Sequence, residues 1–202
     1  VYLTEYYRSL GYFDARVKHI KRYDESGKWI TLVYVISEGS PYKVRNVSIE
    51  GNRYYPTEKI QPFLSVLPDS EYRQAKKMTD ERFLRDAYGA VGFIFADVVA
   101  RLELEPESHM VDIVYEIDEG DVYRCSDINI HINGDKSYTK HRVAMNLLGD
   151  LRPGEIIDAV EVNNAKRRLG STSVFETNPA NGEPPKILIQ PYDEDLLEEV
   201  FE

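Results

Sequence analysis

Apolar and polar residues alternate along the middle of the chain. Ala96, Val98, Ala100, Leu102 and Leu104 interleave with Asp97, Val99, Arg101, Glu103 and Glu105. After the turn chemistry of Pro106 to His109, Val111, Ile113, Tyr115 and Ile117 interleave with Asp112, Val114 and Glu116. Successive side chains on a strand point to opposite faces, so this spacing predicts two strands, each with one buried face. Upstream, Tyr42 to Glu50 predicts a third strand, with Val47 and Ile49 on one side and Gly51-Asn52 as its stop. Between these strands the period becomes helical. Ile60, Phe63, Leu64 and Leu67 predict a short helix capped at Thr57, although Pro62 is ill placed inside a helix. A second helix is predicted from Thr79 or Asp80, with Phe83, Ala87 and Val91 or Ala90 as its apolar face. Gly92 then stands where a left-handed residue ends a helix. The order is β-α-α-β-β.

The pattern repeats at an offset of 81 residues. Tyr7, Gly11, Ala15 and Val17 fall on Tyr88, Gly92, Ala96 and Val98. Val33, Tyr34, Ile36, Glu38 and Gly39 fall on Val114, Tyr115, Ile117, Glu119 and Gly120, and Tyr42 and Ile49 fall on Tyr123 and Ile130. These are 11 identities in the 43 positions from Tyr7 to Ile49, without a gap. A third copy is fainter. Ile128, Ile130 and Ile132 predict its first strand, and Val162, Ala165 and Leu169 its second helix, with Asp158 and Glu161 as a capping box. Leu169-Gly170 echoes Leu10-Gly11 and Val91-Gly92, which predicts a third glycine helix end. The last hairpin, around Asn178 to Pro185, keeps the pattern less well. The chain thus divides into 1–39, the end of one module; 40–120, a whole module; 121–192, a third; and 193–202, an acidic tail. The expected fold class is α+β, each module a three-stranded mixed sheet with two helices on one face.

Charge and chemistry narrow the function. A formal net charge of -10 disfavours nucleic acid, whose phosphates need Lys and Arg. No apolar run reaches the ~18 residues of a membrane helix, and no leader is visible before the polar opening, so the chain reads as a soluble piece of a longer protein. The single cysteine, Cys125, can form no intrachain disulfide and reads as a small packed residue. His19, His109, His131 and His141 do not share metal-ligand spacing, and His109 reads as a solvated turn residue. Glycine-rich phosphate loops and Cys-x-x-Cys are absent. Glu38 and Glu119 recur at one repeat position and read as turn devices, not catalytic carboxylates. Lys18, Lys21 and Arg22 read as a solvated face. Nothing in the sequence points to catalysis, a metal, a cofactor or a small-molecule substrate.

The ensemble of motifs resembles the polypeptide-transport-associated (POTRA) domains of bacterial outer-membrane barrel-assembly proteins of the BamA and TamA type. It rests on the β-α-α-β-β order, on helices ending Leu-Gly-Tyr or Val-Gly-Phe, on the Ala-x-Val strand, and on strands ending Ile-x-Glu-Gly. A further strand leads to Ile-Glu-Gly-Asn at Ile49 to Asn52. The resemblance implies a noncatalytic, periplasmic binding module, attached to a membrane β-barrel. Its partners would be unfolded outer-membrane polypeptides and accessory assembly proteins. It also implies that the second strand of the module, Phe95 to Glu105, is an open edge that accepts an added strand. Phe95, Asp97, Val99, Arg101 and Glu103 are then the candidate peptide-binding residues. The alternative is the same fold in a two-partner secretion transporter or a cell-division scaffold.

Overall fold

A computed structural model of the chain describes residues 2–132, 137–172, 174–175 and 184–190. The chain divides into two compact units, Val1–Val122 and Tyr123–Glu202.

The first unit opens with helix α1 (Tyr2–Ser9) and the hairpin β1 (Arg16–Tyr23) and β2 (Ile30–Ser37). Then come β3 (Lys43–Glu50), α2 (Thr57–Ile60) with a 3₁₀ turn at Gln61–Phe63, α3 (Gln74–Gly89), β4 (Asp97–Glu105) and β5 (Met110–Asp118). The last three strands form one mixed sheet in the order β3-β5-β4, with β3 parallel and β4 antiparallel to the central β5. The α+β class and the β-α-α-β-β order hold for this module.

The 81-residue repeat appears as strand register. β1 pairs with β2 from Arg16↔Ser37 to Tyr23↔Ile30. Each of those pairs recurs in the second hairpin, from Asp97↔Asp118 to Leu104↔Val111. The glycine helix end recurs as well, with φ of 92° at Gly11 and 99° at Gly92. A tie from helix to strand end is made in the first copy and only approached in the middle module. Tyr7 Oη donates to Glu38 at 2.9 Å. In the middle module Tyr88 is buried beside Glu119, and burial first, then that carboxylate, pushes its phenol well above the ordinary tyrosine range. Its hydroxyl nevertheless closes no hydrogen bond of good geometry among the described residues. Glu119 instead accepts the amide of Tyr54 at 2.7 Å, so the recurring glutamate is a tertiary tie as well as a turn residue.

The core lies between the sheet and its helices. Val44, Leu84, Val111, Ile113 and Tyr115 are fully buried in it, each worth about 1.5–3 kcal/mol of burial. Val44 joins Val47 and Ile49 on this face because the β3–β5 register shifts between Val44 and Asn46. Beneath the sheet lies Asp80, fully buried, accepting the amides of Ser65 at 2.6 Å and Val66 at 3.0 Å and the hydroxyl of Tyr115 at 2.9 Å.

Two helix expectations need correction. Helix α3 starts at Gln74, not at Thr79 or Asp80, and its most buried face is Asp80, Leu84 and Tyr88; Phe83 and Ala87 flank it half-buried. Asp80 does receive backbone amides, as a helix cap would, but from the segment before its own helix. The first helix stops after one turn, and Pro62 sits in the 3₁₀ turn, leaving Phe63 and Leu67 exposed. Its N-cap is Pro56, because the Thr57 hydroxyl accepts the Asn52 side-chain amide at 2.9 Å.

The first hairpin is fastened to the middle module. Phe13 lies 5.1 Å from each of the Tyr42 and Tyr72 rings, and the Tyr42 amide donates to the Gly11 carbonyl at 2.9 Å. A side chain at Gly11 would place its Cβ 2.8 Å from the Tyr72 carbonyl oxygen, so glycine is required there by space as well as by φ. His109 is more than a solvated turn residue. It holds φ +54°, packs its ring on Tyr42 at 5.4 Å and brings Nε2 to 3.7 Å from Asp14.

The second unit contains α4 (Ser137–Leu147) and α5 (Ala159–Ser171), packed through Ala144, Leu148, Ala165 and Leu169. Asp158 caps α5 through the amides of Val160 and Glu161, but Glu161 turns to Arg168 and Asn164, so only half of the expected capping box forms. Gly170 lies within α5, so the third glycine helix end is not made there. Ile128 and Ile130 pack on the α4–α5 core, yet residues 121–132 form no ladder with the described residues beyond the bridge Arg124↔Ile156. The hairpin around Asn178 to Pro185 lies mostly, and the tail 193–202 wholly, outside the described residues.

Candidate peptide-receiving edge

A three-stranded sheet has two edges, and the middle module treats them differently. At the β3 edge the chain after α2 folds back along the strand. Val44 donates to Ser70 O and accepts from Asp69 N, both at 2.8 Å, and Tyr72 N reaches Tyr42 O at 3.0 Å. Further along, Gln61 Nε2 donates to Val47 O at 3.4 Å. The second unit repeats this closure. Cys125 N donates to Glu155 O at 2.9 Å, and Gly154 N to Cys125 O at 2.7 Å. The Cys125 thiol is itself pushed up by burial and by Asp127, and it contacts the Asp127 carbonyl.

The β4 edge is the open one. Among the described residues the strand borders β5 on one side only. In an antiparallel ladder the main-chain groups of alternate residues turn toward and away from the partner. Contacts made from outside by Val98 O and Ala100 N show that the even-numbered residues turn away from β5. Outward main-chain groups therefore belong to Val98, Ala100, Leu102 and Leu104. Their side chains point to the helix face, where Val98 is fully buried, Ala100 and Leu102 are half-buried and Leu104 is exposed.

Four of the five residues expected from sequence, Asp97, Val99, Arg101 and Glu103, lie on β4 with exposed side chains on the sheet's outer face; Phe95 precedes the strand. Their own main-chain groups turn to β5. They flank an added strand and offer it no ladder bonds. Arg101 pairs with Glu116 at 2.6 Å and with Glu103. Beside it, Arg45 grips Asp112 at 2.6 Å and Glu105 at 2.7 Å. The Arg45 hydrogen bond holds the Asp112 carboxyl below the usual carboxylate range, and both guanidiniums are raised. The outer face is thus a paired, polar strip around the buried Val114.

Sequence reasoning missed the even-numbered residues because alternation reveals which side chains share a face. Which main-chain groups meet solvent depends on which side the neighbouring strand occupies. Among the described residues no group of three or more His, Cys, Asp or Glu could hold a metal ion. No described helix is long and apolar enough to cross a membrane.

Residues 42–120 match the POTRA family, described as surface antigen variable number repeat. The outer membrane protein assembly factor BamA of Nitratidesulfovibrio vulgaris is 24% identical over 178 residues, covering 86% of this chain and 22% of that protein. A putative outer membrane protein assembly factor of Treponema pallidum is 24% identical over 177 residues, covering 85% of this chain and 21% of that protein. The chain therefore spans about a fifth of the length of these relatives. The crystal structure of Haemophilus influenzae BamA POTRA3–5 shares the fold, with a TM-score of 0.67 at 22% identity over 85% of this chain and 67% of that one. Residues 42–120 match the POTRA family, and the chain is similar to part of outer membrane protein assembly factors of the BamA type.

Proposed function

We propose that the chain is a noncatalytic, periplasmic part of an outer-membrane protein assembly factor, and that its middle module receives unfolded β-barrel polypeptides as an added strand on β4. On this reading residues 1–39 end one module, 40–120 form the second and 121–192 the third, with a membrane β-barrel elsewhere in the protein. Accessory assembly proteins dock on the same array. One observation carries the proposal. In the residues that match POTRA, the β3 edge is closed by main chain from Tyr42 to Val44 and by the Gln61 side chain at Val47, while the β4 edge has open groups from the Ala100 carbonyl to Leu104 among the described residues. Main-chain pairing is nearly blind to sequence, which suits a receptor for many clients, and the alternating side chains of a barrel strand fit a half-apolar edge. The bland alternative is that Asp97 and Glu103 guard an otherwise idle edge against aggregation.

A backbone NMR titration with a peptide copied from a membrane β-strand tests it. Shifts at Leu102 and Leu104, lost in a folded Leu102→Pro variant, are expected. Proline at Leu102 removes an outward amide and spares the β5 ladder; at Val99 or Arg101 it would break that ladder instead. Shifts confined to α2 and α3 would overturn the proposal in favour of a helix-side groove.

A further inference from the structure

The open edge of β4 is occupied at one end by side chains of the module's own helix. Glu81 Oε1 accepts the Ala100 amide at 2.9 Å. The same oxygen holds Lys77 Nζ at 2.8 Å, and the two side chains are only 13% and 17% exposed. One turn on, Arg85 Nη2 donates to the Val98 carbonyl at 3.3 Å. Asp97 Oδ1 takes the Val98 amide at 2.9 Å. An acceptor for the N–H and a donor for the C=O is what a neighbouring strand would supply. Three outward groups in succession are thus satisfied in the absence of a client. The cap ends at the Ala100 amide. The Ala100 carbonyl, Leu102 and Leu104 have no such partner among the described residues.

We infer that Glu81 and Arg85 form a displaceable cap that sets where a client strand pairs on β4. Pairing begins at the hairpin end, Leu102 to Leu104, and reaches Val98 and Ala100 only by evicting the two side chains. The inference rests on strand addition at β4, and it names the residues that limit its length and register. Lys77 acts as a positioning residue, because it fixes the carboxylate oxygen that holds Ala100. Eviction from a half-desolvated ion pair is costly, so a short client stops at the cap and a long one exchanges its own amides for it. In the first copy the position of Arg85 is held by Thr4 of α1.

The test compares the chain with a Glu81→Ala/Arg85→Ala variant, using the same membrane-strand peptide and ¹⁵N amide shifts. In the unaltered protein the β4 footprint should be confined to Leu102–Leu104. In the variant it should extend to Val98 and Ala100, and affinity should rise about tenfold. Without peptide, Ala100 amide exchange should accelerate at least several-fold in a Glu81→Ala variant. Should the double variant fail to fold, Glu81→Ala alone, which keeps Arg85, is expected to extend the footprint to Ala100 and no further. Unchanged footprint and affinity, with normal binding at Leu102–Leu104, would overturn the cap and leave strand addition standing. So would an unaltered protein whose footprint already includes Val98 and Ala100. No β4 shift in any of these proteins would overturn both.

Discussion

The hairpins β1–β2 and β4–β5 share register and pattern, yet one is almost wholly exposed and the other forms the core. Leu32 is 52% exposed and its counterpart Ile113 is 0%; Tyr34 is 53% exposed and its counterpart Tyr115 is 0%. The difference lies in what covers them. β5 has β3 along its other side, and its Ile113 and Tyr115 share a buried core with Leu84 and Tyr88 of α3. Among the described residues the first hairpin has α1 beside it, and α1 has no buried residue. Alternation therefore writes the strand, while burial comes from partners distant in sequence.

Alanine at matched positions should break that symmetry most visibly. Ile113→Ala is expected to destabilise the first unit by about 4 kcal/mol, because it removes a fully buried side chain and leaves a cavity. Leu32→Ala, the same change in the other copy, should stay within about 0.5 kcal/mol. Urea unfolding of both variants measures the contrast, and equal losses would mean that the hairpins are equally packed.

Asp80 gives the next largest effect. Asp80→Ala strands two amides and the Tyr115 hydroxyl, and a loss of about 3 kcal/mol is expected. Chemical denaturation reads it, and a loss below about 1 kcal/mol would show that water replaces the carboxylate freely.

Much of this was legible in the sequence. The three strands of the middle module, the turn at Pro106–His109, and the Gly92 end were all readable, because each depends on neighbours a few residues away. The start of α3 was not. Asp80 looks like a cap, and its carboxylate does bind amides, but those of Ser65 and Val66, a use only the tertiary fold reveals. Gly170 failed for the converse reason, since the local Leu-Gly motif is continued by α5. At the candidate edge the strand and its exposed side chains were legible. The phase of its main-chain groups and its cap by Glu81 and Arg85 required knowing where β5 and α3 lie.

Smaller effects sharpen the contrast of the outer faces. Gly92→Val should cost about 1–2 kcal/mol, since φ of 99° strains a β-branched residue. A thermal midpoint unchanged by it would show the position to be ordinary. The Arg45–Asp112 pair has no counterpart in β1–β2, whose strands carry no acidic residue. The folded Asp112 carboxyl is held low, so its contribution is present above the unfolded value of about 3.9 and fades as pH falls through the lower folded value. The thermal midpoints of the protein and an Arg45→Met variant should therefore differ near neutrality and converge as pH falls through the lowered folded value.

Native-state hydrogen exchange across the first unit tests the account most directly. The ladder amides of β5 should exchange slowest, the Ala100 amide, bound to Glu81, should be measurably protected, and those of Leu102 and Leu104 should exchange fast, as should most of β1–β2. Leu102 and Leu104 protected as well as the β5 ladder, or β1–β2 protected as well as β4–β5, would contradict it.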